Sequence, residues 1–308
     1  MLSIFSMHAV AAVLHALQAV IVLGLVSWLN TLSDTHGVFP LTRQVSTWVS
    51  PDATNGVARP SMVGNFSVVE TTIDSGSFDV RYAVLCFFVL AFADHACAAL
   101  SQTIWNIESV SSQLRYCEYS ISASVMAMCI AVESGISDLY TLITIFVLLF
   151  ATQIMGLLAD MLSNPDLGSK WNPLQSILGV YIWAVPHGIG WICCIAAYVP
   201  ILDSFISSER LSPVHAPGFV FAIIVTQFIL FISFGFVQCW HLWRKSLLLL
   251  SRGATVNYAI LDPPSHPSMQ RQVKDLALLA ERVFIVLSLV AKTLLAWLVL
   301  SPIVMGAK

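Results

Sequence analysis

The sequence predicts an all-α membrane protein: a bundle of seven transmembrane helices with a small β-hairpin in the first extracellular loop. Three observations carry that prediction. Hydrophobic residues make up 57% of the 308 and charged ones only 10%, with a mean hydropathy of +0.83, which lies outside the composition of soluble domains. The apolar residues gather into seven stretches, each roughly the 20 residues that a helix needs to cross the hydrocarbon core. Polar clusters such as Ser163-Asn164-Pro165-Asp166, Ser207-Ser208-Glu209-Arg210 and Asp262-Pro263-Pro264-Ser265 separate neighbouring stretches. The lipid bilayer is therefore the expected solvent, and residues 1–308 read as a single transmembrane domain. A net charge of -3 offers no basic field, so nucleic-acid binding is unsupported.

The first stretch, 7–30, outruns a signal peptide's apolar region and has no basic segment before it, so it reads as a retained helix. Residues 31–79 are too many for a plain connection, and the β-branched run Ser67-Val68-Val69-Glu70-Thr71-Thr72-Ile73 predicts a strand of the hairpin. Further helices are expected at 80–103, 113–136, 139–161, 173–200, 217–243 and 274–299. No repeat at a fixed period is visible, against a two-fold transporter. An odd number of spans puts the termini on opposite sides. Arg244, Lys245, Arg252, Arg271 and Lys274 cluster around the loop between helices six and seven, which predicts a cytoplasmic N-terminus and an extracellular C-terminus. Arg43, Arg59 and Arg81 count against this, although their long loop also carries Asp34, Asp52, Glu70, Asp74 and Asp79. The sequon Asn65-Phe66-Ser67 is usable only on the lumenal side and offers a test. All seven cysteines fall inside apolar segments and read as packing residues.

Lys292 stands near the middle of the seventh stretch. An ammonium at that depth costs roughly 2.5–3.5 kcal/mol on insertion scales, so it needs a partner or a covalent role. A buried lysine is also the side chain able to shed its proton and condense with an aldehyde. The bland reading is a lysine paired with an acid for packing. Ser288, one turn earlier on the same face, is placed to hydrogen-bond that nitrogen. On the third helix Arg115, Glu118, Tyr119 and Ser122 recur at three- and four-residue steps and share one face. Glu118 is the candidate counterion, and Arg115 the neighbour that holds it ionised, unless the two form only a helix-end ion pair. His15 with Gln18 on the first helix and Asp94-His95 on the second suggest a polar interior cluster, with His95 preferred over Asp94 as the inward residue. Trp183, Met126, Phe231 and Phe234 are candidate apolar walls for a long polyene. No metal-ligand set, nucleophile–base pair or phosphate loop is visible, which argues against an enzyme.

These residues resemble the heliorhodopsin family of retinal proteins. The resemblance rests on Arg115-Tyr116-Cys117-Glu118-Tyr119-Ser120-Ile121-Ser122-Ala123-Ser124, on Ser288-Leu289-Val290-Ala291-Lys292, on Pro217-Gly218-Phe219-Val220, and on His15, Gln18 and His95. It implies all-trans retinal bound covalently to Lys292, Glu118 as counterion, Ser288, Arg115, Tyr119 and Ser122 around the Schiff base, and His15, His95 and Gln18 in a proton-accepting cluster. It also implies an inverted orientation, a hairpin in the first loop and a homodimer. Ala91 departs from the family, where a serine precedes the helix-two histidine by one turn. The function expected from the resemblance is a light sensor with a slow photocycle, read by a cytoplasmic signalling partner. The alternatives are a light-gated or light-driven proton or ion conductor, with Glu118, His95, Asp94 and Glu133 as stations, and a receptor or transporter that holds an anion on Lys292.

Overall fold

The computed structural model describes residues 3–32, 35, 37–49, 61–63, 66–104, 110–163, 181–211, 218–250 and 267–306. Among these residues lie seven long helices: α1 (Ile4–Thr31), α2 (Val80–Ile104), α3 (Val110–Glu133), α4 (Leu139–Leu162), α5 (Ala184–Leu211), α6 (Gly218–Leu250) and α7 (Pro267–Gly306). Three strands, β1 (Val38–Val49), β2 (Ser61–Val63) and β3 (Phe66–Asp79), connect α1 to α2. The chain is an integral membrane protein. Six of these helices are long and apolar enough to cross a bilayer on composition alone. The seventh, α3, carries Arg115, Glu118, Ser120, Ser122 and Ser124, all buried, so its polar residues face its neighbours rather than lipid.

Consecutive helices pack side by side from α1 to α5, α6 lies on α7, and α7 returns against α1 and α2. One continuous apolar core fills the half of the bundle nearest the sheet, with Leu29, Phe87, Phe88, Ile130, Leu142, Ile201 and Leu295 fully buried. Many other large apolar side chains, among them Leu17, Val20, Ile192, Val199 and Phe236, face outward, as expected where lipid is the solvent.

Four helix ends run well past expectation: the sixth helix continues from 243 to Leu250, the seventh starts at Pro267 rather than at 274, and two more ends run through a proline. The fifth helix was expected to end at Pro200, yet α5 starts at Ala184 and runs on to Leu211 with Pro200 inside it. Likewise α7 continues through Pro302 to Gly306. In a membrane bundle neighbouring helices and local adjustment absorb the lost N–H, so proline does not end the helix as it would in water. The expected start of the fifth helix at residue 173, and Asn65 of the sequon, lie outside the described residues.

The expected hairpin is present as an antiparallel pair of β1 and β3, extended by the short β2 on the other edge of β3. Register shifts between Pro40 and Thr42, opposite Ser75-Gly76 on β3. Gly76 adopts a φ of 99° there and its amide donates to Asp74 Oδ1 at 2.9 Å, the bulge geometry that only glycine enters without strain. The sheet is anchored to the bundle through Thr42 N donating to Ser137 O at 2.9 Å and Val80 N donating to Gly37 O at 3.0 Å. Gly37 also has positive φ, and a Cβ there would meet Ile303 Cδ1 at 2.6 Å.

Candidate functional site

Lys292 sits midway along α7 and is 2% exposed. Its Nζ lies 3.0 Å from both carboxylate oxygens of Glu118 and donates to Oε2, and it donates also to Ser288 Oγ at 3.0 Å. The Tyr119 ring stands beneath it, 4.8 Å from Nζ to the centroid. Glu118 reaches this point because Arg115, Glu118, Ser122 and Met126 form one stripe along α3 at three- and four-residue steps. Buried opposite charges at this distance hold each other ionised, and removing either leaves the other stranded in low dielectric.

Arg115 does not hold Glu118. Its guanidinium donates instead to Glu281 Oε2 on α7 and lies over the Phe284 ring, 4.2 Å from the centroid. The two acids therefore divide the two cations between them. Glu281 was missed in the sequence although a signal was there: Glu281, Ser288 and Lys292 are spaced seven and four apart, which places all three on one helical face.

A second polar group lies between α1 and α2. His15 is fully buried and stacks on His95, with centroids 5.5 Å apart and planes 8° from parallel, and among the described residues neither of its ring nitrogens has a partner within hydrogen-bond geometry. His95 Nδ1 is 3.0 Å from Nδ1 of His8, a residue not singled out from the sequence, although His8 and His15 share the spacing of one α1 face. Asp94 was expected to point away, yet it is 8% exposed and its Oδ2 lies 3.6 Å from His95 Nδ1. Adjacent helical residues diverge by about 100°, yet both are buried here. Gln18 is only half-buried and donates to Thr293 Oγ1 at 2.8 Å, which ties α1 to the turn carrying Lys292.

From Lys292 and Ser288 a cavity extends between α3, α4, α5, α6 and α7. Tyr119, Ser122, Met126, Phe231 and Phe234 line it, as does Arg115. Trp183 does not: its Nε1 donates to Ser246 Oγ at 2.9 Å, and it packs with Ala159 and Leu242 in a separate cluster. The tryptophan of the wall is Trp191, whose Nε1 donates to His187 Nε2 at 3.0 Å. Trp191 fits only because residue 235 is glycine, where a Cβ would come 2.5 Å from its ring. The lining is mostly apolar and aromatic, with Lys292 and Ser288 at one end and Thr152, Gln153, His187 and Gln238 as further polar groups along it, which suits an elongated, mostly apolar ligand. All seven cysteines are free, and among the described residues no group of His, Cys, Asp and Glu is arranged to hold a metal.

A family model described as Heliorhodopsin matches residues 4–246. That span includes His8, His15, His95, Arg115 and Glu118 and ends before α7, so Glu281, Ser288 and Lys292 are tied to it by geometry alone. Among solved structures, a light-driven proton pump LR (Mac) from Leptosphaeria maculans is similar over 99% of this chain and 93% of that one, at 13% identity and a TM-score of 0.40. No curated protein sequence matches the chain.

Proposed function

The chain belongs to the heliorhodopsin family, and from that membership we propose that it is a light-sensing retinal protein with all-trans retinal held covalently at Lys292 Nζ. One observation carries the reading: a buried amine, 3.0 Å from a carboxylate and a hydroxyl, stands at one end of an aromatic-walled cavity. The residues fit such a group. Lys292 and Ser288 mark one end, and Met126, Trp191, Phe231 and Phe234 supply an apolar and aromatic wall. When bound, retinal supplies absorption of visible light and a change of shape on isomerisation.

The remaining work falls to the chain's own side chains. Glu118 stabilises positive charge at Nζ, and Ser288 Oγ accepts a second hydrogen bond from it. Arg115 is neutralised by Glu281 and so adds no net positive charge beside Lys292. We assign the acceptor of the Nζ proton after illumination to His15 and His95, since both buried nitrogens of His15 lack a hydrogen-bond partner among the described residues and its ring stacks directly on His95. Gln18 steadies the Lys292 turn through Thr293. A slow change at the cytoplasmic face, read by a signalling partner, completes the sensor.

An absorption spectrum of the retinal-reconstituted protein tests this. We expect a visible band in the wild type, none in Lys292→Ala, and in Glu118→Gln either a marked red shift or ready loss of the Nζ proton. Wild-type protein that stays colourless with all-trans retinal would sink the proposal, and a steady photocurrent under voltage clamp would identify a conductor instead of a sensor.

A further inference from the structure

His8 has no part in the function proposed above, yet it is 2% exposed and connects two otherwise separate groups. On one side its Nδ1 lies 3.0 Å from His95 Nδ1. On the other its Nε2 lies 3.6 Å from Oε1 of Glu281, whose second oxygen is bound by Arg115. His15 does not share this line: it is stacked face to face on His95 and makes no hydrogen bond to it.

A ring-nitrogen contact of 3.0 Å requires one proton between the two rings. With both rings neutral, two tautomer pairs satisfy it. If His8 carried its proton on Nδ1, the bare Nε2 would set a lone pair against the Glu281 carboxylate, acceptor facing acceptor. The favourable pair has His8 protonated on Nε2 toward Glu281, and His95 protonated on Nδ1 and donating to His8. His95 Nε2 is then bare and able to receive a proton.

We propose that His8 is the storage site for the proton released at Lys292, loaded through His95 and held against Glu281. The inference rests on the retinal reading above. One proton enters at His95 Nε2, and the Nδ1 proton of His95 passes to Nδ1 of His8. His95 is left neutral as its other tautomer, and His8 becomes the doubly protonated cation. Charging His8 strengthens its attraction to Glu281, and the 3.6 Å approach is close enough to shorten into a charge-assisted hydrogen bond, typically about 2.7–2.9 Å. The charged and titratable groups around it are His15 on α1, His95 and Asp94 on α2, Arg115 on α3 and Glu281 on α7. Asp94 is the competing store, but its oxygen stands 3.6 Å from the His95 Nδ1 that already bonds His8 at 3.0 Å.

Two measurements decide it. ¹⁵N NMR of histidine-labelled, retinal-free protein reads the tautomers without any pigment; we expect an N–H···N bond between His95 and His8, with His8 protonated on Nε2 and the bond absent in His8→Asn. In reconstituted protein, His8→Asn is expected to keep the visible band and to shorten the lifetime of the light-induced loss of the Nζ proton about tenfold or more, the factor that one charge-assisted hydrogen bond predicts. A bare His8 Nε2, a His8→Asn lifetime equal to wild type, or a larger effect from Asp94→Asn than from His8→Asn each overturns the relay. Wild-type protein without a visible band overturns both readings, whereas coloured protein with an inert His8 overturns only this one.

Discussion

Arg115 lies one turn from Glu118 on α3, yet its guanidinium crosses to Glu281 on α7. The choice follows from charge: Glu118 is already neutralised by Lys292 at 3.0 Å, and a second cation on the same carboxylate would leave Glu281 buried alone. Removing one member of a buried pair costs about 3–5 kcal/mol, while replacing both by apolar residues of similar volume is often neutral. Glu281→Gln is therefore expected to lower the thermal unfolding midpoint in detergent strongly, and Arg115→Met combined with Glu281→Leu to restore most of it. Additive losses in the double variant would show that the two side chains do not act as a pair. Lys292 and Glu118 were legible in the sequence because a charge in an apolar run is conspicuous. The partner of Arg115 was harder to read: which acid it takes depends on helix rotation across two elements, and spacing along α3 alone says nothing of that.

The helices differ in how plainly the sequence announced them. Those facing lipid on one side, such as α1 and α4, read directly as strongly apolar runs, whereas α3 is the least apolar of the seven stretches and shows its inward face by the regular spacing of its polar residues. The expected ends at 200 and 299 fell short because α5 and α7 run on through Pro200 and Pro302, which a membrane bundle tolerates. Trp183 and Trp191 were indistinguishable by type and lie two turns apart, and only the packing of α5 on α4 and α6 decides which one meets the cavity. Gly235 on α6 is the complement of that decision. A methyl group there would stand 2.5 Å from a Trp191 ring already fixed by its bond to His187. Gly235→Ala should therefore displace the ring, cost about 1–3 kcal/mol as overpacking does, and shift the absorbance maximum of reconstituted protein. Unchanged tryptophan fluorescence and an unchanged spectrum would mean that the wall yields without moving Trp191.

At the scale of the whole molecule the open matter is which end faces the cytoplasm. The α7 helix has 40 residues, about 60 Å at 1.5 Å per residue, against a hydrocarbon core of about 30 Å, so it projects well beyond the bilayer. Arg244, Arg271 and Lys274 lie exposed at the end away from the sheet. At the sheet end Arg81 is buried and bound through Nε and Nη2 to Asp79, at 2.9 and 2.7 Å. Lys245 of the other cluster is buried too and donates to Ser163 Oγ, so burial takes one basic residue from each side and the bias towards a cytoplasmic α6–α7 end keeps its sign. Cysteines introduced at two exposed positions, Ser77→Cys on β3 and Gln272→Cys on α7, convert this into a measurement with a membrane-impermeant maleimide. On intact cells Ser77→Cys should label at once and Gln272→Cys only after permeabilisation, because the reagent reaches only the outer face. The reverse pattern would put the N-terminus outside, and the His8–Glu281 end of the bundle, with any proton held there, would then face the extracellular side.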